Sequence, residues 1–244
     1  MASAAAKAAS KSGVKRSFWQ KLRKFFLWSV LGFLLVSVGS VLVLRWVNPP
    51  SSAIRIARSI EAARAGQAFQ AQSCWLSLAD LGPNLPMAVI ASEDQRFNTH
   101  YGFDFTELAK AVKEKGRRRG ASTLTQQVAK NLFLWQGRSY VRKGLEAYFT
   151  GLIELLWPKR RTLEVYLNIV EFGDSTFGAC AGAKRAFDTT PARLSPYQSG
   201  LLAASLPNPH VLNAAKPSVA MHRRASWAVK QMQSLGGAQY LATF

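Results

Sequence analysis

The residues best suited to chemistry lie between Ala88 and Asp104, where three of the chain's 13 acidic residues occur within twelve positions. Glu93 and Asp94 are adjacent, and Asp104 follows after three spaced residues of other types, Phe97, His100 and Gly102. A carboxylate in a partly apolar cleft has a raised pKa and can accept a proton near neutral pH. The cluster therefore predicts a general acid or base at Glu93, whereas the alternative is an ordinary acid pair at a helix end.

A second candidate segment begins at Gly120, where a glycine and hydroxyl residues precede a predicted helix. Ser122 or Thr123 is expected to cap that helix, and the free backbone N–H groups at a helix N-terminus attract anions. Lys130 adds a positive charge two turns further on. The segment predicts a site for an anion, and the alternative is a polar cap on a surface helix.

A third segment places Arg142 and Lys143 one turn before Glu146. Arg142 and Glu146 are four residues apart, which is the spacing of an ion pair on a helix surface. The alternative is that Arg142 and Lys143 bind a phosphate while Glu146 faces a cleft. Taken alone, this spacing favours the ion pair.

A fourth segment, residues 163–173, has the leucine spacing of a buried helix followed by a polar end. Tyr166 and Asn168 are predicted to fasten this helix to a neighbouring element. Glu171 is a candidate for a further cleft carboxylate, although its expected position is in a loop.

The elements that must position these residues are predicted to be helices, because apolar residues recur at helical spacing and no alternating run indicates a sheet. The predicted fold class is therefore all-α, with a short hairpin at most. Proline, capping and glycine signals place helices that begin near Pro86 and at Ser122 or Thr123, and further helices over residues 105–115, 140–157, 162–168, 195–206 and 217–235.

The N-terminal region predicts a membrane anchor. Residues 1–24 carry seven Lys or Arg and no acidic residue, and the twenty residues from Phe25 to Leu44 carry no charge. As a helix this run would span ~30 Å, the thickness of a bilayer's hydrocarbon core. The basic flank predicts a cytoplasmic N-terminus. A cleaved signal peptide is the alternative, but its apolar region is usually only ~7–15 residues long.

These patterns divide the chain into a basic tail at 1–24, a transmembrane anchor at 25–47, a juxtamembrane linker at 48–74 and a domain at 75–244. The net charge is +19, and the seven basic residues of the tail leave +12 for the rest. A domain this basic is expected to bind nucleic acid, phosphoryl groups or anionic headgroups. Outside the cytoplasm, phospholipid and pyrophosphate are favoured and nucleic acid is not expected. The basic run from Lys110 to Arg119 is predicted to attract headgroups.

The cysteines and histidines constrain redox and metal chemistry. Cys74 and Cys180 are compatible with an exported domain that does not depend on disulfides, and their spacing does not establish whether they pair. The three histidines are scattered, and no cysteine cluster accompanies them. A structural zinc site is therefore not expected.

Taken in this order, the four segments resemble the motifs of the glycosyltransferase family 51 peptidoglycan polymerases. The first follows the pattern Glu-Asp-x-x-Phe-x-x-His-x-Gly-x-Asp from Glu93 to Asp104. The others run from Gly120 to Asn131, from Arg142 to Glu146 and from Leu163 to Asn168. Residues 201–209 also look like the family's, so the resemblance covers about residues 75–235 and implies a lysozyme-like, bilobal, all-α fold.

The resemblance further implies lipid II as the substrate and elongation of a glycan chain as the activity. It implies a bacterial inner-membrane protein whose catalytic domain lies in the periplasm. The implied partners are the nascent glycan chain, membrane phospholipid and proteins of cell-wall synthesis or division. Because the sequence ends at residue 244, a monofunctional member without a transpeptidase domain is expected.

Carried over motif by motif, the resemblance assigns Glu93 and Glu146 as catalytic residues, with Glu93 as the general base of an inverting displacement. Glu146 acts near the leaving group, either through a divalent ion such as Mg or Mn or by positioning basic residues. The implied substrate or pyrophosphate contacts are Asp94, His100, Ser122, Thr123, Gln126, Gln127, Lys130, Arg142 and Lys143. The implied structural positions are Phe97, Gly102, Asp104, Tyr166 and Asn168.

The C-terminal helices depart from the family pattern at five positions that bear on packing more than on chemistry: Cys180, Gly182, Ala186, Gln198 and Gly200. Two other functions remain as alternatives, and the C-terminal departures allow the second of them. A lysozyme-like hydrolase would share the carboxylates without needing the basic residues together. A non-catalytic membrane scaffold would not need Glu93.

Overall fold

The computed structural model describes residues 2–113 and 122–244, apart from the side chains of residues 2–17 and 111–113. Gly120 and most of the basic run from Lys110 to Arg119 lie outside these residues. Within the described part the helices are α1 Ala2–Leu44, α2 Ala53–Arg64, α3 Asn84–Glu93, α4 Phe105–Lys113, α5 Leu124–Phe133, α6 Tyr140–Leu156, α7 Lys159–Ile169, α8 Gly178–Phe187, α9 Pro196–Ser205 and α10 Val219–Ser234. The predicted helical class is confirmed.

The chain divides into two compact units, residues 1–46 and 47–244. The first unit contains α1, and its segment Phe18–Leu44 spans 27 residues with a mean hydropathy of 2.4. Within the described residues this is the one helix long and apolar enough to cross a membrane. It includes the uncharged run that the sequence predicted as an anchor, so α1 fits a single-pass membrane helix.

The second unit is built around α3, whose residues from Leu85 to Ala91 are all buried. Helices α9 and α10 pack on α3 and on each other, while α6 and α7 pack on α5. Because α3 is enclosed on every side, it needs no polar face, and the positions of its ends are determined by its neighbours. Glu93 is the last residue of this buried helix.

Capping determines where several of these helices begin. Thr123 caps α5, and it forms a capping box with Gln126. Ser195 forms the same reciprocal pair with Gln198 at the start of α9. Each box satisfies two backbone N–H groups that would otherwise have no partner at the helix end. The capping predicted at both helix starts is confirmed, with Thr123 rather than Ser122 as the cap of α5.

A small sheet corrects the expectation of a short hairpin at most. Its strands are β1 Gln72–Ser73, β2 Glu171–Gly173 and β3 Thr176–Phe177, in the order β1-β3-β2. β2 and β3 form the antiparallel hairpin, and β1 joins β3 in parallel from within the predicted linker. The loop position expected for Glu171 is wrong, because Glu171 begins β2 and is 2% exposed.

The two cysteines form a disulfide, which corrects the expectation of a domain independent of disulfides. Their Cα atoms lie 5.7 Å apart although 106 positions separate them in the chain. The pairing of β1 with β3 explains their proximity, because Ser73 pairs with Phe177. Cys74 directly follows Ser73, and Cys180 lies three residues after Phe177. The departure at Cys180 is therefore one half of a covalent link between the β1 region and α8.

Two of the departures from the family pattern, Gly182 and Gly200, are glycines at which two elements approach closely. A Cβ at Gly182 would lie 3.1 Å from the Phe172 ring, and one at Gly200 would lie 2.9 Å from the backbone oxygen of Ala225. Gly200 therefore allows α9 and α10 to cross at short distance. Gln198, another of the departures, forms the capping box of α9 with Ser195. Nothing in the structure explains Ala186.

We expect Gly200→Ala to destabilise the protein by about 1–3 kcal/mol, because the new methyl group would force two backbones apart. Gly151→Ala is the matched control, since Gly151 lies within α6 with nothing within 4 Å of its added Cβ. Alanine there should raise stability by about 0.5–1 kcal/mol through helix propensity. Thermal unfolding of the two variants checks this, and equal melting temperatures would contradict the close approach.

Replacing Cys74 and Cys180 by alanine should lower the free energy of unfolding by about 2–4 kcal/mol, because the disulfide closes a long loop. Denaturant unfolding with and without reductant measures the change. The chain has only two cysteines, so reductant should destabilise the wild-type protein and leave the double variant unaffected. A wild-type midpoint that does not respond to reductant would show that the bond contributes no stability.

Candidate active site

A cleft of about 680 Å³ opens beside the C-terminal end of α3. Its walls come from the C-terminal end of α3 and the residues after it, from the N-terminal part of α4, from Ser122 ahead of α5, and from α9 and α10. Residues that line it include Ser92, Glu93, Asp104, Ser122, Arg224 and Trp227. The cleft therefore brings the first two sequence motifs together with the C-terminal helices.

Glu93 is half-buried at this cleft, and its carboxylate accepts a hydrogen bond of 2.9 Å from Gln127 Nε2 on α5. The Tyr166 hydroxyl on α7 donates to Gln127 Oε1 at 3.1 Å. Because Tyr166 is fully buried, its hydroxyl holds the Gln127 amide with the NH₂ group toward Glu93. Three helices therefore position one carboxylate oxygen.

Burial is the main cause that raises the pKa of Glu93, since a charged carboxylate loses solvation. The hydrogen bond from Gln127 opposes this, and so do the positive charges of Arg224 and Lys130. The negative charge of Asp94 adds a smaller upward effect on the pKa. The result is a carboxylate that is more basic than an exposed glutamate and accessible from a cleft.

Asp94 and His100 hold the loop that follows Glu93. Both residues are buried, and His100 Nε2 lies 2.8 Å and 3.0 Å from the two carboxylate oxygens of Asp94. The backbone N–H of Leu124 also donates to Asp94 at 2.9 Å. Both Asp94 oxygens are therefore engaged with protein groups, and they connect the loop to the first turn of α5.

Gly102 and Asp104 fix the next stretch of the chain. Gly102 has φ +78°, and a Cβ there would lie 2.7 Å from the Thr150 side chain. Its carbonyl accepts a hydrogen bond of 2.7 Å from the Thr123 hydroxyl. Asp104 accepts from the backbone N–H groups of Thr106 and Glu107, each at 3.0 Å, so it caps α4.

Phe97 and Asn168 are structural in different ways. Phe97 is fully buried, and Lys159 Nζ lies 4.7 Å from the centre of its ring. The Asn168 side chain both donates to and accepts from the backbone of Leu76, each at 2.9 Å. Asn168 therefore fastens α7 to the segment that follows β1, as Tyr166 fastens α7 to α5.

Three cations follow Glu93 in space, Lys130 on α5 and Arg142 and Lys143 on α6. Burial lowers the pKa of Lys130, while the negative charges of Glu146 and Glu93 oppose that shift. Arg142 lies close enough to lower the pKa of Lys130 further. Lys130 therefore interacts with both carboxylates and links the second motif to the third.

Glu146 is 3% exposed and holds two of the cations. Arg142 donates to one of its carboxylate oxygens at 2.9 Å, and Lys143 pairs with the other. The Arg142 Nε atom is buried without a hydrogen-bond partner among the described residues. The ion pair between Arg142 and Glu146 that the spacing predicted therefore forms. It is not confined to α6, because Lys130 on α5 also interacts with Glu146.

A divalent metal ion does not fit at Glu146. Both of its oxygens already face positive side chains, and a further cation there would be repelled. Within the described residues, Glu171, Asp174 and His210 form the one group with metal-ligand proximity, and it contains none of the site residues. Arg58 donates to Glu171 at 3.3 Å, which already compensates its charge.

The sequence motifs did not indicate Arg224, Trp227 and Gln231, which line the cleft from α10. The positive charge of Arg224 lowers the pKa of Glu93, although the two residues are 131 positions apart. The sequence feature that could have indicated them is the adjacent pair Arg223 and Arg224, which lies on a predicted helix with apolar residues at buried-face spacing. Only the packing of α10 on α3 places that pair beside the first motif.

Comparisons with known proteins identify the family of the chain. Residues 61–233 match the family described as Transglycosylase. A biosynthetic peptidoglycan transglycosylase of Stutzerimonas stutzeri (strain A1501) is 52% identical over 229 residues, covering 93% of each chain. Proteins of the same name from Pseudomonas fluorescens (strain Pf-5) and Pseudomonas syringae pv. syringae (strain B728a) are 48% and 49% identical, covering 93% of this chain and 94% and 95% of theirs.

We expect Gln127→Ala to raise the pKa of Glu93 further, because the lost hydrogen bond stabilises the charged carboxylate. An NMR titration of the ¹³C-labelled glutamate carboxyl groups measures the change. Gln198→Ala is the control, since it removes a glutamine amide from the capping box of α9. An unchanged or lowered pKa in Gln127→Ala would contradict the assigned hydrogen bond.

Proposed function

This chain belongs to the transglycosylase family, and we propose that it is a peptidoglycan glycosyltransferase that polymerises lipid II into glycan strands. The observation that carries the proposal is that Glu93, whose pKa is raised, interacts electrostatically with Lys130, which also interacts with Glu146 and with the two cations paired to Glu146. A sugar transfer from a pyrophosphate needs a base for the attacking hydroxyl and positive charge for the leaving group. Glu93 can supply the base, and it is bonded to Gln127 on α5. Lys130 on α5, together with Arg142 and Lys143, can supply the positive charge.

The proposed reaction is a direct displacement with inversion at the anomeric carbon. The 4-hydroxyl oxygen of the acceptor lipid II forms a bond to the anomeric carbon of the growing chain. The bond between that carbon and the pyrophosphate oxygen breaks, and undecaprenyl pyrophosphate leaves. Glu93 takes the hydroxyl proton, so its carboxylate must be ionised before the step. Gln127 and Tyr166 hold it in place through the hydrogen bonds described above.

The charge that develops on the leaving pyrophosphate would be stabilised by Lys130, Arg142 and Lys143. Cations placed in advance where charge develops usually make the largest single contribution to such catalysis. Glu146 would hold Arg142 and Lys143 at fixed positions and prevent three like charges from repelling one another. In this proposal Glu146 acts by positioning, and no step runs through a metal ion.

The proposed location is the inner membrane, with the tail in the cytoplasm and the catalytic domain in the periplasm. The distribution of basic residues around the apolar helix supports this orientation. The disulfide between Cys74 and Cys180 supports it independently, because disulfides persist in oxidising compartments such as the periplasm. Membrane phospholipid and proteins of cell-wall synthesis or division are the proposed neighbours.

The purified full-length protein should convert labelled lipid II to polymer, and Glu93→Gln should reduce the rate by about 10²–10⁴-fold through loss of the base. Gel separation of the products measures both rates. Asp188→Asn is the control for removing one acidic residue, because Asp188 is exposed and asparagine tolerates its left-handed backbone.

Other outcomes would replace the proposal. Release of reducing ends from finished peptidoglycan, without polymer, would support a hydrolase. A wild-type protein inactive toward both substrates would support a scaffold. A folded Glu93→Gln variant that polymerises at the wild-type rate would remove Glu93 from the role of base.

A further inference from the structure

The residues after α10 pack against the loop that follows Glu93. A 3₁₀ helix covers Gly237–Thr243, and it contacts α3. These residues lie beyond the family match, which ends at residue 233. The contact is therefore a feature of this chain that the shared motifs do not describe.

The Tyr240 hydroxyl is the centre of the polar contacts. It lies 2.8 Å from Asn98 Oδ1 and 3.2 Å from the Gln95 carbonyl oxygen, and it accepts a hydrogen bond of 3.2 Å from the Asn98 backbone N–H. The Asn98 Nδ2 group donates to the Thr243 hydroxyl at 3.0 Å. The side chain of Asn98 is thus bonded through both of its polar atoms to the C-terminal segment.

Aromatic packing accompanies these bonds. The rings of Phe97 and Phe244 meet edge to face with centroids 5.6 Å apart, and Tyr240 packs on Phe244 at 6.0 Å. Phe97 also contacts His100, the partner of Asp94. The C-terminal segment therefore reaches the loop on two sides, through the polar edge at Asn98 and through the ring of Phe97.

We infer that Tyr240 is a positioning residue for Glu93. Asp94, His100 and the N–H of Leu124 hold the loop from the α5 side, and Tyr240 holds residues 95 and 98 from the opposite side. The loop begins at the residue after Glu93, so its displacement would move the carboxylate relative to Gln127 and the cleft. This inference rests on the proposed role of Glu93 as the base.

Tyr240→Phe tests the inference, because it keeps the ring packing and removes only the hydroxyl. We expect kcat for lipid II polymerisation to fall on the order of tenfold, since small misplacements of catalytic groups are costly. KM should stay unchanged because Tyr240 is not placed against substrate. The acidic midpoint of the pH–rate profile should shift, because a displaced Glu93 changes both its burial and its hydrogen bond from Gln127, the two largest influences on its pKa.

Tyr197→Phe is the matched control. It also removes one tyrosine hydroxyl, which lies 2.7 Å from His222 Nδ1 on the exposed surface between α9 and α10. Its kcat and its pH profile should equal those of the wild type. Melting temperatures of both variants establish that each is folded at the assay temperature. A merely destabilised Tyr240→Phe protein would lose active molecules without a shift in the pH midpoint.

A double-mutant cycle with Asn98→Ala completes the test. If Tyr240 acts through Asn98, the losses in kcat should be strongly non-additive, with the double variant close to the worse single variant. Unchanged kcat and pH midpoint in Tyr240→Phe, with an active wild type, would overturn the inference. An inactive wild type would instead overturn the proposed function, so the two failures are distinguishable.

Discussion

The site depends on keeping one carboxylate partly out of water without losing its ability to ionise. Burial at the end of α3 disfavours the charged form of Glu93, and the Gln127 amide restores part of that stability through one hydrogen bond. The amide can do so only because Tyr166 fixes its orientation. Holding this carboxylate in place therefore requires α3, α5 and α7 to meet at one point.

Charge balance along α5 and α6 follows from the same constraint. A group of like charges that is partly removed from water is costly unless opposite charges lie among them. Glu146 supplies that opposite charge for Arg142 and Lys143, and Lys130 interacts with both Glu146 and Glu93. Two carboxylates lie among three cations, so each ionisable group has a neighbour of opposite sign. In the proposed reaction, the excess positive charge is available to the leaving pyrophosphate.

The loop between Glu93 and Gly102 is held by contacts from several directions. Its inner side is joined to α5 through Asp94 and His100, and its outer side meets residues near the end of the chain. Gly102 supplies the left-handed turn that lets the backbone pass close to Thr150. The loop is thus held by contacts that are far apart in sequence.

The amino-acid sequence by itself determined the features that depend on neighbouring residues. Helical spacing, the caps at Thr123 and Ser195, and the long uncharged run all follow from interactions within a few positions, so the class and most helix positions were predictable. The motifs also identified Glu93, Lys130 and Glu146 as candidates. Their common location was implied by the resemblance and not by the spacing of any one segment.

Only the tertiary structure decided which distant residues meet. Two-residue strands have no periodic signal, so the pairing of β1 with β3, the disulfide beside it and the buried position of Glu171 were not predictable. The same holds for Arg224 at the cleft and for Tyr240 on the loop. Spacing also could not separate an ion pair at Arg142 and Glu146 from a cationic site, because both exist once α5 packs on α6. Local chemistry is encoded by near neighbours, whereas burial and long-range contacts exist only in the packed chain.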